Sequence, residues 1–97
     1  MKDYILFMHS DAQRAGTEVE WAAYFERLRA SGQFQGGSAI GSGQCLKKSG
    51  HALPVSSTLA GYVRITASSL EEAKTFVVGN PIFEAGGTVE VRELPET

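Results

Sequence analysis

Ninety-seven residues, 42% apolar and 21% charged, provide for one globular domain and leave no room for a second core. A net charge of −2, with no basic cluster larger than Lys47–Lys48, excludes the Lys/Arg face that nucleic acid binding requires. Cys45 is the single cysteine, which excludes an intramolecular disulfide and fits a reducing, cytoplasmic setting.

The chain opens with Tyr4-Ile5-Leu6-Phe7-Met8, a continuous apolar run interrupted by His9-Ser10-Asp11. Five residues are too few for a signal core or a membrane span, so the run predicts a central strand covered on both faces and no membrane association. Thr17 with Glu20 three residues later forms a capping-box pattern and starts a helix. Trp21, Phe25 and Leu28 give that helix one apolar face, with Ala22 and Tyr24 beside them, and Gly32 ends it.

Phe34 to Ile40 reads as a glycine-opened strand, and Gly41-Ser42-Gly43 turns the chain toward a second short strand near Gln44–Lys47. From Lys48 to Leu59 no period of either kind holds, which predicts a long loop. Gly61 introduces an alternating strand, Tyr62 to Ala67. A second helix follows, capped by Ser68 with Glu71 or by Ser69 with Glu72. Leu70, Ala73, Phe76 and Val77 form its buried stripe, and Gly79 followed by Pro81 stops it. Thr88 to Leu94 is the last strand, and Pro95-Glu96-Thr97 reads as a frayed tail.

Strand–helix–strand–strand–helix–strand with right-handed crossovers predicts one α+β domain over residues 1–97, of ferredoxin-like βαββαβ topology. Its four-stranded antiparallel sheet carries both helices on one face. The other face then needs a cover, and a second copy of the chain is the natural one, making a homodimer.

If Val63, Ile65, Val89 and Val91 face the helices, then Tyr62, Arg64, Thr66, Glu90 and Arg92 point to the opposite side. That charged face reads either as a ligand-binding pocket between sheets, built from Tyr62, Arg64, Glu90 and Arg92, or as plain salt bridges. His9 and Asp11, two residues apart beyond the first strand, are the candidate catalytic pair, a histidine beside a carboxylate. Against that stands a turn-capping Asp11 and an exposed His9. His51 reads as a solvated loop residue, Trp21 as core, and Cys45 as an inert small hydrophobe. Neither metal-ligand spacing nor a cofactor motif is visible, and Gly36-Gly37 and Gly41-Ser42-Gly43 lack the strand-to-helix context of a phosphate loop.

Taken together these segments resemble the YCII-related family, in its DGPF-domain branch. Tyr4–Met8 with His9-Ser10-Asp11 is similar to the family's opening strand, and Trp21 to Gly37 to its first helix and Gly-Gly step. Gly61-Tyr62, Ser69-Leu70-Glu71-Glu72-Ala73, Asn80-Pro81-Ile82 and Gly86-Gly87-Thr88-Val89-Glu90-Val91-Arg92 follow in family order. The resemblance implies a dimeric α/β barrel, two ferredoxin-like sheets packed face to face. It implies less about activity. Some relatives carry a His-Asp pair in a dimer pocket, one is linked to dechlorination of an aromatic ring, and others accompany sigma factors in a regulatory role. Two departures matter. The Asp-Gly-Pro-Phe signature is reduced to Pro54 within His51–Thr58, and the family's helix-one histidine falls at Trp21 with its Asp partner near Ala30, so that pair does not carry over.

Two functions are therefore expected. One is a dimer binding a small acidic or aromatic molecule, with Arg64 and Arg92 as anion contacts and His9 with Asp11 moving a proton in cofactor-free isomerisation or elimination. The alternative is a non-catalytic interaction or regulatory module whose polar face sets dimer register.

Overall fold

The computed structural model describes residues 1–96; of the tail read as frayed, Thr97 lies outside the described residues. Strand β1 (Lys2–His9) buries Tyr4, Leu6 and Met8 on one side and half-buries Ile5 and Phe7 on the other, the pattern of a strand paired along both edges. Its neighbours are β3 (Leu59–Ala67) and β4 (Val89–Leu94), with Leu6 opposite both Val63 and Val91. Strand β2 (Phe34–Ala39) pairs with the far edge of β3, giving an antiparallel sheet of order β2-β3-β1-β4. This is the ferredoxin-like order, with the first and third strands central.

Helix α1 (Glu18–Ala30) begins where its caps dictate. Thr17 Oγ1 accepts the Glu20 N–H at 3.1 Å, and the Glu20 carboxylate accepts the Thr17 N–H at 2.9 Å. Arg14 donates to the same carboxylate at 3.0 Å, and these contacts hold its pKa down at about 2, Arg14 contributing most. The buried stripe runs through Tyr24 and Leu28, with Trp21 and Phe25 half-buried toward β2, whereas Ala22 is exposed.

The second helix departs from its expected form. Ser69, the later of the two capping candidates, caps α2 (Leu70–Thr75) by accepting the Glu72 N–H at 3.1 Å. The helix stops at Thr75, and Leu70 is half-exposed instead of buried, because only Ala73, Phe76 and Val77 turn toward the sheet. Gly79, with φ +87°, reverses the chain, and a third short helix, α3 (Pro81–Glu84), starts from Asn80. The asparagine is fully buried. Its Oδ1 accepts the N–H groups of Ile82 (2.9 Å) and Phe83 (3.3 Å), and its amide donates to Met8 Sδ at 3.2 Å.

Two strand expectations are corrected. No strand forms near Gln44–Lys47, since every residue from Gly37 to Thr58 is exposed and that short alternation has no apolar face to bury. Strand β3 also starts earlier, at Leu59, so Gly61 lies inside it, between Met8 of β1 and Ala39 of β2.

Tyr4, Leu6, Met8, Val63, Ile65 and Ala67 of the sheet pack against Tyr24 and Leu28 of α1 and against Ala73 and Val77, all from one side. Tyr24 fastens that layer by donating its hydroxyl hydrogen to Phe76 O at 2.7 Å. Among the described residues, no helix is long and apolar enough to cross a membrane.

Candidate functional site

Side chains alternate across a strand, so register decides which groups can meet. On the face away from the helices, Phe7 lies opposite Tyr62 and Glu90, and Ile5 opposite Arg64 and Arg92. The four residues expected to build a ligand pocket on that face, Tyr62, Arg64, Glu90 and Arg92, therefore occupy one patch around Ile5 and Phe7, with Thr66 further along β3 opposite Asp3. Its polar centre is Glu90, which accepts from Arg92 Nη1 at 3.0 Å through one oxygen and contacts His9 Nε2 at 3.0 Å through the other. Arg92 chiefly, then His9, holds the Glu90 carboxyl below the usual carboxylate range.

His9 is thus partnered by Glu90 and not by Asp11. The Asp11 carboxylate accepts the Thr88 N–H at 2.8 Å and the Thr88 hydroxyl at 2.7 Å, and these two bonds lower its pKa. Since His9 N–H also donates to Thr88 O at 2.9 Å, Asp11 clasps the end of β1 to the start of β4. Each of its two oxygens accepts one bond from that turn. His51 and Cys45 both sit exposed in the segment between β2 and β3. Among the described residues, no three His, Cys, Asp or Glu side chains converge to hold a metal ion.

An apolar concavity lies on the other side of the sheet. A groove of about 420 Å³ runs between α1 and the β2–β3 end of the sheet, lined by Met8, Trp21, Phe25, Gly37, Ser38, Ala39, Ala60, Gly61, Tyr62 and Ile82. It exists because the helix-facing positions there carry almost no side chain. Gly37 lies opposite Val63, and Gly61 lies between Ala39 and Met8, so the sheet ends in a smooth floor. A Cβ on Gly37 would meet Tyr62 O at 2.5 Å, and one on Gly61 would meet Ser38 O at 3.0 Å, so neither position accepts a larger residue without moving backbone. Facing that floor, the rings of Trp21 and Phe25 stack at 5.7 Å and 25°, and Phe25 continues to Phe34 at 5.6 Å. The guanidinium of Arg29 lies 6.0 Å from the Phe25 ring centre and 5.8 Å from that of Phe34, bracing the wall from outside.

This slot suits a flat apolar ring, which could lie between the indole and the glycine floor, and its size is in the range of small-molecule sites. No Asp, Glu, Lys, Arg or His lines it. Of the residues expected to bind ligand, all four lie on the opposite face by register, and Tyr62 alone also borders the groove, where its backbone O approaches Gly37. Trp21, Phe25, Met8, Gly37, Ala39 and Ile82 were not legible as a site in the sequence. The available signal was a run of Gly and Ala on β2 against an aromatic pair on α1.

A four-stranded antiparallel sheet of this order, with its helices packed on one face, defines an α+β domain of ferredoxin-like type. The chain belongs to the YCII-related domain family, whose profile matches residues 3–96. Its fold is similar to that of 5-chloro-2-hydroxyhydroquinone dehydrochlorinase (TftG) from Burkholderia phenoliruptrix AC1100, solved in complex with 2,5-dihydroxybenzoquinone. The two share 20% sequence identity at a TM-score of 0.55, over 98% of this chain and 95% of that one. At that identity the likeness is one of fold. No curated protein matches the sequence.

Proposed function

We propose that this protein is a homodimeric small-molecule-binding domain whose ligand is a flat, oxygenated aromatic ring held in the groove between α1 and the sheet. The carrying observation is the pairing of a stacked Trp21–Phe25 wall with a floor of Gly37, Ala39 and Gly61. A ring between them is desolvated on both faces, at roughly 25 cal/mol per Å² of apolar surface removed from water. The ligand in the TftG structure, 2,5-dihydroxybenzoquinone, is of this size and shape. The outer face of the sheet, with Ile5 and Phe7 half-buried amid Arg64, Glu90 and Arg92, is the surface for a second copy.

Trp21 is the only tryptophan, so its fluorescence reports the groove directly. Titration with benzoate, 4-hydroxybenzoate and 2,5-dihydroxybenzoquinone should change the Trp21 signal saturably and raise Tm. A ligand at a hundred times its Kd adds about 2.7 kcal/mol. Ala39→Leu, which fills the groove from an exposed strand position, should abolish both responses. Ligand responses that survive in Ala39→Leu would place binding elsewhere.

A second reading rests on the His9–Glu90 contact at 3.0 Å with Arg92 attached. A histidine held by a carboxylate is acid–base machinery, and on the outer face it would act in a cavity completed by the partner, in cofactor-free isomerisation or elimination. Turnover of any ring substrate that is lost in His9→Ala but retained in Ala39→Leu would favour it. Absence of turnover in the dimer leaves the binding or regulatory role.

A further inference from the structure

The segment between β2 and β3 is long and unpacked, and carries exposed apolar side chains on both sides of its tip. Leu46 and Leu53 are 87% and 81% exposed, and Val55 is exposed as well. The radius of gyration is 14.7 Å, against about 12.5 Å for a compact chain of this length, and the molecule measures 46 Å along its longest axis. Both ends of the segment are walls of the groove, since Ala39 and Ala60 line it and the Ile40 N–H donates to Ala60 O at 2.9 Å. Exposed apolar side chains and an apolar groove are therefore joined by a short tether. An effective concentration on the order of millimolar makes the groove a nearer destination for Leu46 and Leu53 than a separate molecule. Doubled back, about nine residues reach roughly 30 Å, ample to cross it.

The same segment carries the charge that the groove lacks. Lys47 and Lys48 adjoin Leu46, and His51 precedes Leu53 by two. We infer that the Gly41–Thr58 segment is a lid that folds over its own chain's groove, seats Leu46 and Leu53 against the bound ring, and presents Lys47 and Lys48 to an acidic substituent. This rests on the groove being the ligand site, and it narrows the ligand to an anionic aromatic, a ring bearing a carboxylate or phenolate. A lysine pair at a lid tip recognises such a group as a point charge, without a fixed hydrogen-bond geometry.

The chain contains one tryptophan in the groove and one cysteine, exposed, on the lid, so an acceptor dye on Cys45 reports closure by energy transfer from Trp21. Benzoate is the anionic probe and benzyl alcohol its neutral counterpart. Transfer should rise saturably with benzoate in the parent chain and stay flat in Ala39→Leu. The double variant Leu46→Ser/Leu53→Ser should reduce the rise while leaving Tm unchanged, since neither leucine is packed. Lys47→Gln/Lys48→Gln should weaken benzoate about ten-fold and leave benzyl alcohol unaffected. Benzoate binding that changes Trp21 emission, is lost in Ala39→Leu, yet leaves transfer unaltered would overturn the lid and spare the groove. No saturable Trp21 response to any probe would remove the groove reading first. A benzoate-dependent rise in transfer from an unlabelled parent chain to a dye-labelled Trp21→Phe chain would show the segment reaching a second copy, and would overturn the intrachain lid.

Discussion

Asn80 is the residue whose loss should cost this domain most for its size. It is fully buried and makes three contacts: two caps on the backbone of α3 and one donation to Met8 Sδ. Asn80→Ala removes the cap, about 0.5–2 kcal/mol, and leaves part-buried N–H groups without an acceptor, about 1–3 kcal/mol. The two penalties overlap, so the sum is about 2–4 kcal/mol, with a centre near 3. For a domain of this length each kcal/mol moves Tm by about 4–8 °C, which puts the drop at roughly 12–24 °C. Urea unfolding followed by Trp21 fluorescence measures it directly. The sulfur contact is separable. Met8→Leu keeps the volume, costs under about 1.5 kcal/mol, and combined with Asn80→Ala should show a coupling of at least about 0.5 kcal/mol. A fall of less than about 1 kcal/mol in Asn80→Ala would mean that α3 is held by Pro81 and Ile82 packing alone, and the capping argument would be wrong.

Three further outcomes follow from the same structure. Glu20 has its pKa lowered from 4.5 to about 2, so the stability its charge contributes is complete above pH 4.5 and is lost as pH falls toward 2. Glu20→Gln keeps a capping-box side chain without that charge, so its urea midpoint should change less than the parent's across this window; parallel curves would refute it. Asp11→Ala should accelerate hydrogen exchange at His9 and Thr88 while leaving ring affinity in the groove unchanged, and a loss of affinity would give Asp11 a role beyond the β1–β4 clasp. Phe7→Glu places a charge at the middle of the outer face, and should convert the proposed dimer to monomer in sedimentation velocity without lowering helix content. An unaltered sedimentation coefficient would move the interface elsewhere.

Helix caps and sheet topology carried from the sequence into the structure, whereas one short alternation and the groove did not. Thr17 and Glu20 satisfy each other within one turn, so their spacing is sufficient to place the start of α1. Gly79 followed by Pro81 reads as a stop, which it is, but the intervening Asn80 before Pro81 is equally a start, and only the packing of Asn80 against Met8 shows that the chain turns into a third helix. Gln44–Lys47 alternates like a strand, yet alternation stabilises nothing without a partner strand or a buried face. The groove was invisible for a different reason. It is made by side chains that are missing at Gly37, Ala39 and Gly61, and a space becomes readable only when register brings those positions under Trp21.

The same register separates the two proposed sites of this domain. His9 and Asp11 are two residues apart in sequence and part company in space, whereas His9 and Glu90 are 81 apart and meet because β1 pairs with β4. On β1, Met8 faces the groove and its neighbour His9 reaches Glu90 on the opposite face. A ring lying over Met8 and Gly61 is therefore screened from His9 by the sheet, and a one-residue slip of β1 would bring His9 to it only by expelling Tyr4, Leu6 and Met8 from the core. Burying those three side chains resists the slip by several kcal/mol, at about 1.5–3 kcal/mol each. Groove binding and His9 chemistry are consequently independent within one chain. His9→Ala should leave the affinity for benzoate within about two-fold of the parent, and a larger loss would mean that the sheet does not divide the two sites as its register requires.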